Sequence, residues 1–415
     1  MRMSRRLLAL VLLLLAVTAP AMAVDVPANF SFHGAGYGHG VGMSQMGARS
    51  MALAGQTPTQ ILQYFYKDVL IEPRDDARIL RVNIGHLLTS TKISTRTNGA
   101  VVQLFNGDIG DQVDAVPIAV FSNKASLNFS LLGASVVPSV SIGKKITPLA
   151  RSRSFTIRWS GTRYLAGIDA LISVTQLGAT RKYRYGQLQV RAIKNATLGY
   201  RLELTNAVRL SDEYLWGVSE MPSFWPFAAL QAQAIASRSY ALSKADNYRV
   251  ACDCNFYNGI SDQSFLGYSK EIELKYGALW KKAVTETAGL TITQAGLPIA
   301  AYFFSSSGGK TELAINAWGS AKAYTQIVDD PGSLDLALNP RFVAWDRTLT
   351  QAVVAAAFLL PDVAMLEVMS KNESDTVAQI RATSSAGLQF TLRGETFRSR
   401  TKLPSAWFDL VSMQN

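Results

Sequence analysis

The chain has 415 residues, of which 48% are hydrophobic and 17% charged, and its formal net charge is +11. This composition excludes a largely disordered chain and provides ample material for a hydrophobic core, which at this length we expect to be split between two lobes. No block of lysine or arginine interleaved with aromatic residues occurs, and no zinc-finger or homeodomain pattern, so we expect no nucleic-acid partner.

An export signal is predicted over residues 1–23. Three arginines within the first six residues precede an apolar run from Leu7 to Val17, and Ala21-Met22-Ala23 fits an A-x-A cleavage pattern. The run is too short for a spanning helix, so contact with a membrane is expected only through an uncleaved signal segment, which is the alternative. We predict an exported protein in the cell wall, extracellular space or periplasm. Its charge of +8 without these arginines suits anionic wall polymers or a membrane surface.

A glycine-rich segment follows, within residues 24–74. Six glycines between Gly34 and Gly47 allow tight backbone turns around His39, Ser44 and Gln45, as a site needs where backbone approaches a ligand. The alternative is a structural turn; a dinucleotide-binding loop is rejected because no preceding strand or βαβ unit is evident.

The same segment should contain a short helix over residues 57–66, with Thr57 as N-cap before Pro58. A glycine-rich segment of this size has no core of its own. We therefore expect it to dock on the second half of the chain.

Residues 75–205 are predicted to form a β-rich lobe. Apolar and polar residues alternate with many β-branched side chains in RILRVNIG, FTIRW, QLQVRAI and YRLELTNAVRL. No cluster of metal ligands or paired acids stands out, so a scaffold or a wall-contact surface is expected.

A helix should begin near Pro226 and continue to Leu242. Proline suits a first helical position, and the residues behind it are rich in Ala, Leu and Gln. Small residues along it allow another backbone to approach closely. Gln233, Ser237 and Tyr240 share one stripe at helical spacing, which predicts one packed face and one polar face.

Glu220 lies just before this helix and is the candidate acid. Burial against Met221, Phe224 or Trp225 would raise the pKa of its carboxyl group, whereas the nearby helix N-terminus would lower it. A catalytic acid requires burial to dominate. The alternative is that Glu220 caps a loop or pairs with Arg238.

The loop after the helix holds both cysteines, Cys252 and Cys254. None of the three histidines of the chain lies in this loop, so zinc is improbable there and an oxidised pair is favoured in an exported protein. We predict no metal site.

The last third of the chain is expected to mix helices and strands. Helices are predicted at 281–287 and near 350–360. Strands are predicted at 291–293, 297–304, around Glu367 and at 379–382.

The serine- and glycine-rich stretch at 305–312 is a candidate sugar-binding loop. Hydroxyl groups such as those of Ser306, Ser307 and Thr311 can hydrogen-bond sugar hydroxyls, and Trp318 can stack on a sugar ring. No G-x-S-x-G elbow surrounds the serines, which excludes a serine hydrolase. The alternative is a loop that buttresses Glu220.

These stretches resemble the SpoIID/LytB family, the stage II sporulation protein D family. The family pattern "EYL.GV..EMP..WP.EALKAQA.A.R.YAL" is matched from Glu213 to Leu242, with Glu220, Trp225, Arg238 and Tyr240 in register. The pattern "G.GFGHGVGMSQYGA" is matched from Gly36 to Ala48. Further matches are "DQ.Y.G" at 262–267, "YSSSGGKTE…WG" ending at Gly319, and "G..FR..LGL.S..F" near the C-terminus.

The resemblance implies a peptidoglycan lytic transglycosylase, with Glu220 as the acid/base and no nucleotide or redox cofactor. It also implies a permuted connection, since in many members the glycine-rich segment follows the Glu-Met-Pro stretch. One departure is Ala228, where the family often carries a glutamate.

We therefore expect an α+β protein with a mixed catalytic core at 206–415 and the β-rich lobe as an insertion. Its ligand would be peptidoglycan glycan strands, cleaved between N-acetylmuramic acid and N-acetylglucosamine with formation of 1,6-anhydro ends. The alternative is a non-catalytic wall-binding protein or an enhancer of a wall amidase. The expected substrate-binding residues are His39, Ser44, Gln45, Arg238, Ser306, Ser307, Thr311 and Trp318. His39→Ala is expected to reduce turnover more than the melting temperature.

Overall fold

The computed structural model describes residues 25–414, and the predicted signal peptide lies outside them. Helices and several separate sheets occur in this range, which confirms the α+β class. Within residues 25–414 no helix combines the length and the apolar character needed to cross a bilayer.

The glycine-rich segment forms three short strands and two helices. Thr57 caps the second helix as predicted, through a capping box with Gln60. The elements are β1 (Asn29–Gly34), β2 (Met43–Ser44), α1 (Gln45–Leu53), α2 (Pro58–Phe65) and β3 (Leu70–Pro73).

The next stretch is all β. It builds a six-stranded sheet in the order β10-β9-β8-β5-β12-β13 and most of a seven-stranded sheet in the order β16-β4-β15-β14-β11-β6-β7, in which β16 (Phe256–Tyr257) comes from later in the chain. The strands are β4 (Ile79–Leu88), β5 (Ser90–Thr95), β6 (Val101–Asn106), β7 (Ala119–Ser122), β8 (Ala125–Leu132), β9 (Ser135–Ile142), β10 (Lys145–Pro148), β11 (Ser154–Trp159), β12 (Ile172–Gln176), β13 (Ala179–Tyr183), β14 (Gln187–Asn195) and β15 (Gly199–Arg209).

The central helix α4 then crosses the core. It begins one residue after Pro226, within one residue of the predicted start, and all of its alanines except Ala228 are buried. The elements of this part are α3 (Leu215–Gly217), α4 (Phe227–Lys244), β16 (Phe256–Tyr257), α5 (Tyr268–Glu271), α6 (Gly277–Glu286), β17 (Leu290–Gln294), β18 (Leu297–Pro298), β19 (Phe303–Phe304) and α7 (Ala314–Trp318). The strand predicted at 297–304 is thus two short strands with irregular backbone between them.

The C-terminal part has its own hydrophobic core. Phe30 and Phe32 of β1 pack into it together with Phe358, Phe397 and Phe408. Its elements are β20 (Trp345–Thr350), α8 (Gln351–Phe358), β21 (Met365–Lys371), β22 (Val377–Thr383), β23 (Gln389–Arg393), α9 (Gly394–Thr401) and β24 (Phe408–Gln414). Helix α9 has no counterpart in the sequence prediction.

Strand pairing joins the two ends of the described chain. Strand β1 lies between β20 and β24 and is antiparallel to both, and β2 is parallel to β19. The glycine-rich segment therefore lies against the second half of the chain, where it brings His39 and Gln45 to the residues around Glu220.

Candidate active site

The backbone that carries Glu220 is held by the loop before α5. Val218 forms an antiparallel bridge with Phe265, and the Ser219 amide donates to the Ser264 carbonyl at 2.8 Å. This pairing fixes the position at which the Glu220 side chain leaves the backbone. The stretch at 262–267, which matches a family element in sequence, thus acts as a support for the acid.

The Glu220 carboxylate accepts a hydrogen bond from the Ser264 amide at 2.6 Å. Burial raises the pKa of this carboxyl group to about 7, and it outweighs the Ser264 amide and the Lys270 ammonium, which both lower it. The backbone donor comes from the Ser264 loop and not from the N-terminus of α4. A side chain with this pKa holds a proton at neutral pH and can give it up, as a general acid requires.

The loop after Glu220 is held by an ion pair between the buried Lys270 and the partly exposed Glu273. The Lys270 ammonium, 1% exposed as a residue, donates to the Met221 carbonyl at 2.5 Å and to Glu273 at 2.6 Å. Glu273 in turn accepts from the Ser223 hydroxyl at 2.6 Å. Met221 and Trp225 are buried as predicted. Phe224 is half-exposed and is not part of the hydrophobic core.

Gln45 connects the glycine-rich segment to this loop. Its side-chain amide donates to the Glu220 carbonyl and to the Gln233 side chain, both at 3.1 Å. Gln233 continues the chain by donating to Ser237 at 3.1 Å. The polar stripe predicted on α4 therefore exists, but its Gln233 and Ser237 are fully buried and hydrogen-bond inside the protein rather than to solvent.

A cleft of about 980 Å³ opens beside Glu220. Four of the predicted site residues line it: His39, Gln45, Glu220 and Trp318. Aromatic rings form one part of its surface, with Trp318 packed edge-on against Tyr302 at a centroid distance of 4.7 Å. The Trp318 ring is 38% exposed, so one sugar ring could stack on it.

His39 lines the cleft, and its Nδ1 is bonded to backbone. Nδ1 accepts from the Val41 amide at 3.0 Å, which leaves Nε2 to carry the proton of the neutral ring. Burial, with a smaller effect of the neighbouring Arg398 charge, lowers the pKa of His39 to about 3. The ring is therefore neutral and holds a turn, 5.0 Å from the Trp318 ring.

The part of the chain that carries Glu220 is similar to known proteins. Residues 199–294 match the SpoIID family model, described as stage II sporulation protein. This stretch is similar to the SpoIID family, and we call it the SpoIID segment. It carries Glu220, Ser264 and Lys270, so the predicted family resemblance is confirmed where the acid lies.

Three curated relatives were found. Stage II sporulation protein D of Bacillus amyloliquefaciens is 29% identical over 218 residues, which cover 48% of this chain and 59% of that protein. Stage II sporulation protein D of Bacillus subtilis (strain 168) is 36% identical over 132 residues, 29% of this chain and 38% of the relative. An amidase enhancer of the same strain is 32% identical over 106 residues, 26% of this chain and 13% of the relative. The chain thus spans about three fifths, or less, of the curated relatives it matches.

Arg238 of the SpoIID segment does not reach the cleft. Its guanidinium is fully buried, donates to Asp76 at 2.7 Å and to the backbone carbonyls of Leu290 and Val284, and has no contact with Glu220. Neither the predicted substrate contact nor the alternative pairing with Glu220 is present. The arginine instead joins α4 to the chain just before β4.

The predicted hydroxyl residues are also internal. Each of them is buried and bonded to neighbouring protein groups, which leaves no hydroxyl free for a sugar. Ser44 caps α1, Ser306 accepts from Asn339, Ser307 donates to Asp330, and Thr311 donates to the Gln326 carbonyl. The stretch at 305–312 therefore buttresses the site, as in the alternative reading of the sequence.

Cys252 and Cys254 form a disulfide, the state that the sequence favoured. The residue between them, Asp253, is buried and accepts from Arg81 of β4 at 3.1 Å. The loop thereby ties the SpoIID segment to the β-rich lobe. Among residues 25–414 no group of three or more His, Cys, Asp or Glu side chains is arranged to hold a metal ion.

Sequence reasoning missed Lys270 and Asp262. The Asp262 carboxylate is buried in the cleft wall and accepts from the Arg249 guanidinium at 2.6 and 2.9 Å. The family element at 262–267 marked Asp262 but gave no role for it, and no motif marked Lys270.

Proposed function

We propose that the protein acts in the cell wall as a peptidoglycan lytic transglycosylase with Glu220 as its acid/base. The observation that carries this proposal is a single protonatable carboxyl group, with a pKa of about 7, on the wall of a cleft of about 980 Å³. The family of residues 199–294 and the names of the relatives support a role related to the cell wall.

In the proposed reaction Glu220 gives its proton to the glycosidic oxygen between N-acetylmuramic acid and N-acetylglucosamine. The bond from muramoyl C1 to that oxygen breaks, and the glucosamine leaves with a hydroxyl group. The muramoyl 6-hydroxyl oxygen then bonds to C1, and its proton returns to the Glu220 carboxylate. Atoms and charge balance without consumption of water.

The carboxylates of the cleft support this one-acid reaction over ordinary hydrolysis. Most glycosidases use two carboxyl groups, one of them as a nucleophile or as the base for a water molecule. Besides Glu220, only Asp262 lines the cleft as an acid among residues 25–414. Both Asp262 oxygens are bonded to Arg249, and one also accepts from the Tyr257 amide at 2.9 Å, so this carboxylate is committed to structure.

The test is Glu220→Gln with purified peptidoglycan as substrate. The amide keeps the shape and can still accept from the Ser264 amide, but it cannot donate and retrieve a proton, so anhydro-muramoyl products in mass spectrometry should fall at least about 1,000-fold. The control Glu286→Gln replaces an exposed glutamate on α6 by the same glutamine side chain and should leave activity unchanged. Product formation by Glu220→Gln at the wild-type rate would refute the assignment.

The protonation of Glu220 can be measured without turnover. Its folded-state pKa of about 7 lies above the unfolded value of about 4.3, so wild-type stability falls as pH rises through this window. Glu220→Gln does not titrate and should be more stable than wild type at pH 8, on the order of 1–3 kcal/mol, with no such gain at pH 4. Urea unfolding at the two pH values checks this, and an equal difference at both would contradict the raised pKa.

A non-catalytic enhancer of a wall amidase is the second candidate, favoured by the relative that bears that name. Ala228, the departure from the family pattern that the sequence shows, does not line the cleft. Stimulation of an added amidase by wild type and Glu220→Gln alike, with no anhydro products from either, would favour this candidate.

A further inference from the structure

Basic side chains outnumber acidic ones in the cleft. Five cations line it against the two carboxyl groups of Glu220 and Asp262. Four of the five lie outside the SpoIID segment, in the C-terminal part. The cations are Lys244, Arg341, Arg347, Arg398 and Lys402.

Two of these cations have partners inside the protein. Arg398 forms an ion pair with Glu395 at 2.7 Å, and Lys244 lies 3.9 Å from the centre of the Tyr240 ring. Their charges are thus partly used in holding the cleft wall together.

The other three, Arg341, Arg347 and Lys402, form what we call the cationic set. All three are exposed, and among residues 25–414 none of them forms an ion pair with a carboxylate. Asp346 precedes Arg347 in β20, but neighbouring strand residues point to opposite faces, and Asp346 bonds His33 at 2.9 Å. Three like charges without counter-ions in one concave surface favour an anionic ligand.

Arg347 lies in a strand, Lys402 directly after a helix, and Arg341 in a turn before β20. Arg347 lies in β20 opposite Phe32 of β1, whose ring is buried in the C-terminal core. Lys402 directly follows α9 in a left-handed conformation, and Arg341 lies over the Phe342 ring, which packs against Tyr37 at 4.4 Å. The backbone that carries Arg347 and Lys402 is therefore fixed by the fold before a ligand arrives, which lowers the entropy cost of binding.

We propose that Arg341, Arg347 and Lys402 bind carboxylates of the ligand, so that the cleft selects an acidic glycan over a neutral one with the same β-1,4 backbone. The proposal rests on the proposed function, since it assumes that the strand cut by Glu220 lies in this cleft. A peptidoglycan strand can supply carboxylates from two sources. One is the lactyl group of a muramoyl residue that carries no peptide, and the other is the stem peptide.

The experiment measures binding and not turnover, in a Glu220→Gln background in which the ligand is not consumed. One variant, called the cationic variant, combines Arg341→Gln, Arg347→Gln and Lys402→Gln. Its matched control combines Lys144→Gln, Lys145→Gln and Lys194→Gln, three exposed lysines of the β-rich lobe, with the same loss of charge. The ligands are peptide-free glycan strands, peptide-bearing strands and neutral chitin oligosaccharides.

The cationic variant should bind acidic strands about 10-fold more weakly than the control, as expected from three partly exposed ion pairs, and with a smaller dependence on salt. Binding of chitin oligosaccharides should be the same for both. A loss on peptide-free strands assigns the lactyl carboxylate, and a loss only on peptide-bearing strands assigns the peptide. Equal affinity of the two variants for both acidic strands overturns the proposal. A failure of the proposed function would appear separately, as absence of anhydro products from the wild-type protein.

Discussion

The acid and the cationic set line one cleft but differ in almost every physical respect. Glu220 is bonded to backbone, is largely removed from water and lies near the buried ammonium of Lys270, which lowers its pKa. Arg341 and Lys402 are exposed and carry charges that no carboxylate of the described residues neutralises. The difference matches two tasks: moving a proton at neutral pH needs a desolvated group, whereas attracting a charged polymer needs solvated charge.

The two regions also differ in how the chain builds them. The surroundings of Glu220 come largely from one stretch, residues 217–273, within which Ser264 and Lys270 are close in sequence. The cationic set depends on strand β1, which lies between β20 and β24 and joins the two ends of the described chain. Damage to the glycine-rich segment should therefore disturb the whole cleft, while damage near Lys270 should alter the acid alone.

The largest effect is expected from Gly42→Ala, which tests the contact between the glycine-rich segment and the chain just before β19. Gly42 has a φ of +81°, and an added Cβ would lie 2.1 Å from the Tyr302 carbonyl oxygen, which accepts from the Met43 amide. Strain and clash together should cost about 4 kcal/mol of unfolding free energy, measured by urea unfolding, and activity should be lost with it.

Gly55→Ala is the control for that change. Gly55 also has a positive φ, of +84°, but nothing lies within 4 Å of an added Cβ. Its cost should be limited to backbone strain, about 1 kcal/mol, with turnover retained. Equal losses in the two variants would mean that the close approach of Gly42 to Tyr302 does not hold the segment in place.

The next largest effect is expected from Lys270→Met, which changes the surroundings of Glu220 and leaves the cationic set intact. Removing the ammonium removes a charge that lowers the pKa of Glu220 and leaves Glu273 without its partner. The pKa of Glu220 should rise, so the decline of activity at alkaline pH should move to higher pH, with a stability loss of about 2 kcal/mol. A pH–rate profile together with urea unfolding checks both effects.

Lys282→Met serves as the matched control, since Lys282 is exposed and pairs with Glu286 on the surface of α6. It should change neither the profile nor the stability by more than about 0.5 kcal/mol. If the Lys270→Met profile coincides with that of wild type, then a group other than Glu220 sets the alkaline decline.

The sequence predicted local structure better than it predicted side-chain partners. The start of α4 and the Thr57 cap depend on residues next to each other in the chain, and both predictions are confirmed. Arg238 illustrates the opposite case. Its partner Asp76 lies 162 residues away, so nothing near it in sequence showed that the guanidinium was already bound.

The serine-rich stretch was also misjudged because the partners of its hydroxyl groups could not be predicted from the sequence. Ser306 and Thr311 match a family pattern, but a pattern cannot distinguish a hydroxyl that binds a ligand from one that hydrogen-bonds another residue of the protein.

Helix α9 is highly charged, with Glu395, Arg398 and Arg400, and lacks the apolar repeat that indicates a helix. Its core position rests on Phe397, which is fully buried.

The smallest effect is expected at His39, where the structure favours the structural alternative. Nδ1 bonds the Val41 amide, and a pKa of about 3 keeps the ring neutral, so the ring does not titrate near neutral pH. His39→Ala should therefore cost about 1–2 kcal/mol of stability, and turnover should fall in proportion to the lost folded protein. His39→Asn can still accept from the Val41 amide and should recover most of both. Melting curves and turnover per folded molecule decide the matter, since a steep fall in turnover at unchanged stability would return His39 to a direct role on the substrate.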